Sequence, residues 1–474
     1  MSKEQLLPQD DDDVENATDR RMQMQRSNVQ AVQMFLLTTF LLLFLAGTTL
    51  HPKPLLRSYQ SKRDDNKYEC NLTLVESIPI GLNFTPGSVK FMSTYDAWQH
   101  LLDNTKSTLD IGSFYWTLRS EDTEGNFSSS QPGDAIFKRL LNNGIDAKFK
   151  LRIAQSAPSK VSPDMDTQLL ASYGAAQVVT LDFPKYFGGG ILHTKLWIVD
   201  GQHFYLGSAN MDWRALTQVK ELGVLGQNCP QLTSDLAKVF KAYWYLGSNP
   251  DARIPSSWPW EYNTNYNKEQ PMTLNINKKY EMQGYVSSSP PPLSATGRTH
   301  DLDAILNTIN TALEFVNVAV MDYYPLLVFT SKQHYWPEID NALRKAAIER
   351  GVSVKLLISW WRHSDESMKH YLRSLQDLSM LSRNVDIQVR LFTVPADAEQ
   401  LKIPFGRVNH NKYMVTDRVA YIGTSNWSGD YFTNTAGLGL VLKDTLKSAN
   451  SSLRRDLHNV FERDWNSAYA YDLK

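Results

Sequence analysis

One stretch of this chain, residues 193–210, recurs at residues 410–426, and that duplication limits the fold more than any other feature. The first copy reads His193-Thr194-Lys195, four further residues, Asp200, then Gly207-Ser208-Ala209-Asn210. The second reads His410-Asn411-Lys412, four further residues, Asp417, then Gly423-Thr424-Ser425-Asn426. Each reads as a strand (196–199; 413–415), a turn, a second strand (204–206; 420–422) and a glycine exit. Alternation along the first strand puts His193, Lys195 and Trp197 on one face, and the Gly-Ser/Thr turn brings the Asn back toward His and Lys. A lone His-x-Lys is an ordinary hairpin. Two copies with the same residue types in register are not.

The rest of the chain repeats around these motifs. Residues 109–114 match 315–320 as a first buried strand, and helical patterns at 134–143 and 337–350 follow, each ended by a glycine, Gly144 and Gly351. Strands 148–153 and 354–358, short helices 166–173 and 368–378, and strands 177–181 and 387–392 lead to the motif hairpins. Each half closes on an amphipathic helix, 234–245 and 452–465. Strands alternating with helices predict α/β layers, and two such units with one motif each predict a pseudo-twofold pair. The 474 residues suffice for two ordinary cores. The expected division is 69–248 for the first unit, 301–474 for the second, and 249–300, rich in Pro, Ser and Asn, as the connection.

Ahead of this body, residues 1–30 are polar, with an acidic run from Asp10 to Asp13, and read as a disordered tail. Residues 31–50 are apolar without a charge, about the length a helix needs to cross a bilayer. The polar stretch before them fits a signal anchor better than a cleaved signal peptide. Residues 51–68 read as a stalk. Basic residues flank the apolar segment on both sides, so charge does not orient it. The sequons at Asn71, Asn126 and Asn450 all follow it, which predicts a type II protein with a lumenal or extracellular body. In a cytosolic chain Cys70 and Cys229 would be incidental thiols. Behind an anchor and among sequons, a disulfide between them is the expectation.

The motif residues suit a phosphodiester. Two Lys and two Asn, one of each from each half, can hold the non-bridging oxygens and the charge that develops on them. No metal is required, and His-x-Lys-x4-Asp makes a poor zinc site because Lys is not a useful ligand. One neutral imidazole can attack phosphorus while a second, protonated, serves the leaving oxygen and then activates water. The 49 basic and 50 acidic side chains supply no global basic field, which excludes a charge-stripe nucleic-acid binder but not a local phosphate pocket.

The doubled pattern resembles the phospholipase D superfamily. Stretches such as SFYWTL, HFYLGSANMDWR, LTQVKELGV, VNHNKYMVT and YIGTSNWSG are similar to the animal phospholipase D types three and four, which are endolysosomal and membrane-anchored. The resemblance implies two tandem phospholipase D-like α/β sandwich repeats sharing a composite active site, preceded by one transmembrane helix, with no cofactor. It implies a catalytic set of His193, Lys195, Asp200, His410, Lys412 and Asp417, the two Asp holding backbone, with Asn210, Asn426 and both Lys on the phosphate. It leans toward His193 as nucleophile and His410 as acid/base; the sequence itself does not assign them. In the superfamily an acid beyond each Asn orients the histidine of the opposite half. Glu221 matches that place in the first copy, and Asn434 stands where the second would carry an acid, which puts the basicity of its partner histidine in question. The resemblance further implies passage through endoplasmic reticulum and Golgi to the endosome-lysosome lumen, and allows for a homodimer and for proteolytic release of the body.

Three functions compete. A 5'-to-3' exonuclease on single-stranded DNA or RNA would stack bases on aromatics at strand ends, with Tyr323 and Phe329 the candidates, and Tyr115, Trp116, Tyr324, Trp360 and Trp361 beside them. A phospholipid phosphodiesterase or transphosphatidylase would use the same phosphohistidine, resolved by water or an alcohol. A non-catalytic membrane glycoprotein is disfavoured because both copies keep His, Lys, Asp and Asn.

Overall fold

The computed structural model describes residues 70–123, 125, 127–159, 164–249, 251–446 and 451–474. Tail, apolar segment, stalk, Asn126 and Asn450 lie outside the described residues. Among those described, no helix is long and apolar enough to cross a membrane.

Two sheets form the body. The first runs Met92–Ser93, Asn71–Ser77, Glu221–Gln227, His203–Gly207, Leu196–Val199, Thr108–Ser113, Lys150–Ser156, Gln177–Leu181. The second runs Met272–Ile276, Tyr280–Ser289, Gly437–Asp444, Val419–Gly423, Lys412–Thr416, Phe315–Val320, Ser353–Ser359, Ile387–Phe392, Ala470–Asp472. In each, three parallel strands joined through helices abut an antiparallel motif hairpin. Helical crossovers cover both faces of such strands, which is why Phe315–Val320 is apolar throughout except at Asn317.

Each sheet buries an outer face under its own helices. Leu101, Ile136 and Leu140 pack on Ile111 and Trp197 in the first half, and Ile305, Leu343 and Leu372 on Val318 and Ile358 in the second. The inner faces share one core. There the closing helices, Pro230–Ser248 and Leu453–Trp465, insert Leu236, Phe240, Leu457 and Phe461 between Leu196 and Leu206 of one sheet and Tyr413 and Ile422 of the other. One apolar core thus fixes the two motifs relative to each other.

Two expectations are corrected. Residues 249–300 are more than a connection: Met272–Ile276 and Tyr280–Ser289 are strands, the second paired with Gly437–Asp444. Gly144 does not end its helix, which runs Gln131–Ile145. A Cβ there would meet the Ala175 carbonyl at 2.2 Å, so this glycine serves close packing. Gly351 does end its helix, in the left-handed region at φ 66°.

A disulfide joins Cys70 and Cys229 across 159 residues, with Cα atoms 4.3 Å apart. It ties the start of an inner strand to the first turn of a central helix. Closing so long a loop constrains the unfolded chain, so Cys229→Ser is expected to lose about 2–4 kcal/mol in chemical denaturation. A reduced wild type should match the variant.

Candidate active site

The motif histidines are fixed crosswise. His193 N–H donates to the Ala436 carbonyl of the second half at 2.9 Å, and His410 N–H donates to the Lys220 carbonyl of the first at 2.8 Å. Each Lys ammonium turns back onto the carbonyl of its own His, Lys195 at 2.7 Å and Lys412 at 2.8 Å. His193, His410, Asn210 and Asn426 all line one cleft of about 440 Å³ between the halves; both Lys are buried and are not among its lining residues.

The two imidazoles differ. His410 Nδ1 lies 3.0 and 2.9 Å from the two carboxylate oxygens of Glu221, reaching over from the other half. Burial pulls the His410 pKa below the usual imidazole value while Glu221 opposes the shift. His193 has no carboxylate partner: its buried ring lies between those of Phe114 at 5.6 Å and Tyr431 at 5.1 Å. Burial, then Lys195, Lys412 and His410, hold its pKa well below the imidazole range, with only the Thr424 main chain working the other way. His193 is thus the ring kept neutral, and His410 the ring with a carboxylate ready to stabilise its charge.

Burial also lowers both Lys pKa values, Lys195 further through Lys412, while Glu221 supports the charge of both and Asp322 that of Lys412. Asp200 and Asp417 stand apart from the chemistry. Asp200 accepts from the N–H groups of Lys106, Ser107 and Thr108 at 2.7–2.9 Å, and Asp417 from those of Leu313 and Glu314 at 3.0 and 3.2 Å. Each stitches its hairpin to the chain entering the central strand.

Asn434 does not hold a histidine. Its amide nitrogen faces Gly189, and its Oδ1 is buried without a partner. The position matching Glu221 is Gly437, since Gly223 pairs with Gly207 as Gly439 pairs with Gly423. A Cβ on Gly437 would meet Ser425 Oγ at 2.1 Å, so a side chain there requires that hydroxyl to move. The two candidate stacking rings also part company. Tyr323 is buried and donates its hydroxyl to Asp340 at 2.8 Å, which withdraws it from any base. Phe329 is 69% exposed at the cleft, its ring 6.2 Å from Tyr431. Trp361 and Phe405 line the same cleft. Asn71 is half-buried in its strand.

Other cleft residues are held by one another, and of these only Tyr115 is a candidate from the sequence. Tyr115 donates to Asp212 at 2.9 Å, and Asp212 holds the Arg214 guanidinium at 2.9 Å. Asn426 Nδ2 donates to Asp322 at 3.0 Å and to the Tyr431 hydroxyl at 3.1 Å.

Fold and cleft together define a class: an α/β protein with the phospholipase D fold. Residues 87–397 match the family described as PLD3/4, PLD-like domain, and the chain belongs to that family. The 5'-3' exonuclease PLD3 of Xenopus laevis is 52% identical over 406 residues, 85% of this chain and 81% of that protein. The protein of that name from Homo sapiens is 50% identical over 407 residues, with the same coverage. The 5'-3' exonuclease PLD4 of Mus musculus is 44% identical over 410 residues, 85% of this chain and 80% of that one. The crystal structure of phosphatidylserine synthase from Haemophilus influenzae Rd KW20 superposes with a TM-score of 0.51 at 12% identity, over 80% of this chain and 85% of that one, and shares the fold.

Proposed function

We propose that this protein is a phosphodiesterase that degrades single-stranded DNA or RNA from the 5' end through a phosphohistidine. The observation that carries this is the pair of differently poised histidines facing one cleft, only one of them backed by a carboxylate. His193 attacks phosphorus and a P–N bond forms as a P–O bond breaks. The proton for the leaving oxygen comes from His410. Neutral His410 then takes a proton from water, whose oxygen displaces His193 and restores both rings. Lys195, Lys412, Asn210 and Asn426 hold the non-bridging oxygens meanwhile.

Nucleic acid is favoured over lipid by relatives named 5'-3' exonuclease and by the exposed ring of Phe329 beside the cleft. The two halves read as repeats of one unit, which their matching strand orders support. Anchoring by residues 31–50 with the body in an oxidising, endolysosomal lumen belongs to the same reading, and the Cys70–Cys229 bond supports it.

The test is purified body incubated with end-labelled single-stranded oligonucleotide and, separately, with phospholipid vesicles. Stepwise shortening from the 5' end is the expected result. Headgroup release with an intact oligonucleotide would replace this reading with the lipid one. Phe329→Ala is expected to raise KM for the oligonucleotide by about 5- to 100-fold, the worth of one stacked base. On a small chromogenic phosphodiester the same variant should behave as wild type.

A further inference from the structure

The cleft holds one group that the two-histidine chemistry leaves unused and that suits a phosphate site poorly. Asp322 lies just beyond the strand Phe315–Val320 and lines the cleft with His193, His410 and Asn426. Its position is fixed: the Trp427 N–H donates to its carbonyl at 3.0 Å, and its Oδ2 accepts from Asn426 Nδ2 at 3.0 Å. Lys412 is the cation facing it, and the phenols of Tyr324 and Tyr431 face it from the other sides.

The first half fills the matching place differently. Gly112 pairs with Leu196 as Ala319 pairs with Tyr413, so Tyr115 is the counterpart of Asp322. The Tyr115 hydroxyl lies 3.5 Å from Asn210 Nδ2. One motif Asn therefore meets a neutral phenol and the other a carboxyl group. An ionised Asp322 would oppose the non-bridging oxygens of a phosphodiester and compete with them for Asn426 and Lys412, two of the groups that should bind them. A protonated Asp322 has the reverse effect, since its O–H can donate to such an oxygen.

We propose that Asp322 is a further substrate-binding residue: the second half of the site accepts a phosphodiester when Asp322 takes up one proton and donates that O–H to a non-bridging oxygen. This rests on the phosphodiesterase reading but not on nucleic acid as the substrate. Burial holds the Asp322 carboxyl above the usual carboxylate range, with Lys412 pulling the other way, so the proton is within reach of a mildly acidic medium. The sign follows. Below the folded pKa of Asp322 the acid form is already present and anion binding does not depend on this group. Above it each pH unit weakens binding by up to about ten-fold, because one proton must be acquired.

Lys412 and both histidines also titrate in the cleft, so affinity alone does not isolate Asp322. Dimethyl phosphate, a diester monoanion across the range of about pH 5 to 8, is the probe, bound to the full chain and to Asp322→Asn. Infrared difference spectra at neutral pH should show a protonated-carboxyl band appearing on binding to wild type and absent from the variant. The amide donates at every pH, so the variant should bind about 10- to 100-fold tighter than wild type at the alkaline end, the worth of a hydrogen bond to a charged group. Binding to wild type without that band overturns the proposal whether or not the variant folds. So does a variant that binds no tighter at the alkaline end.

Discussion

His193→Ala and His410→Ala are each expected to lower kcat on a phosphodiester by about three orders of magnitude or more, and to leave different traces. The site separates the two jobs. His193 is enclosed by Phe114, Tyr431 and two lysines that keep it neutral, and His410 leans on Glu221. On the proposed mechanism, removing His193 removes the nucleophile, so no covalent adduct should form on any substrate. Removing His410 removes the proton for the leaving oxygen and the base for water. A p-nitrophenolate leaving group needs no such proton, so His410→Ala should still be phosphorylated by a nitrophenyl diester and then stall. Intact-mass measurement after quenching reads this directly. An adduct on His193→Ala and none on His410→Ala would reverse the roles. The main-chain bonds at both positions do not involve the rings, so each strand end should stay in place when its ring is removed.

The paired motifs were legible because their chemistry is local: His, Lys and Asn are set within a hairpin whose register the sequence determines. Glu221 was legible through the family resemblance, which places an acid beyond the motif Asn. Asn434 was misread because it was matched to an acid by resemblance. Spacing alone would have corrected it, since Gly437 stands as far from Asn426 as Glu221 from Asn210. The strands at Met272–Ile276 and Tyr280–Ser289 were hidden by composition. Their alternation is plain once sought, with Met272, Leu274 and Ile276 inward and Thr273 and Asn275 outward, but Pro, Ser and Asn around them read as a linker. Asp322 and Tyr323 could not be told apart in advance. Neighbours past the end of one strand, they differ only in what distant chain packs on each: Asn426 and the cleft on one, Asp340 and the core on the other.

Asp464→Ala is expected to destabilise the body by about 3–5 kcal/mol, because it strands a buried charge at the seam between the halves. Lys220 and Asp464 are fully buried, Nζ and Oδ2 being 2.6 Å apart, a charge pair whose angles do not make a hydrogen bond. Arg463, the neighbour on the same helix, reaches Asp464 at 2.9 Å and Glu76 at 2.7 Å. Two cations and two carboxylates thus balance along a line from the strand Asn71–Ser77, through the helix Leu453–Trp465, to Lys220. Taking away Asp464 leaves Lys220 in an apolar surround without its counter-ion. The damage should reach the active site, because the Lys220 main chain accepts from His410 N–H and donates to the Val408 carbonyl at 2.9 Å, with Glu221 the next residue. A shift of that strand moves the carboxylate away from the ring it supports, so kcat should fall along with stability. The double variant Lys220→Met/Asp464→Leu separates charge from packing. It removes both ions and fills the space, and should recover most of the stability lost by the single change. Denaturation midpoints of the wild type, Asp464→Ala and the double variant decide it. A double variant no more stable than Asp464→Ala would mean that shape at the seam, and not the buried pair, holds the halves in register.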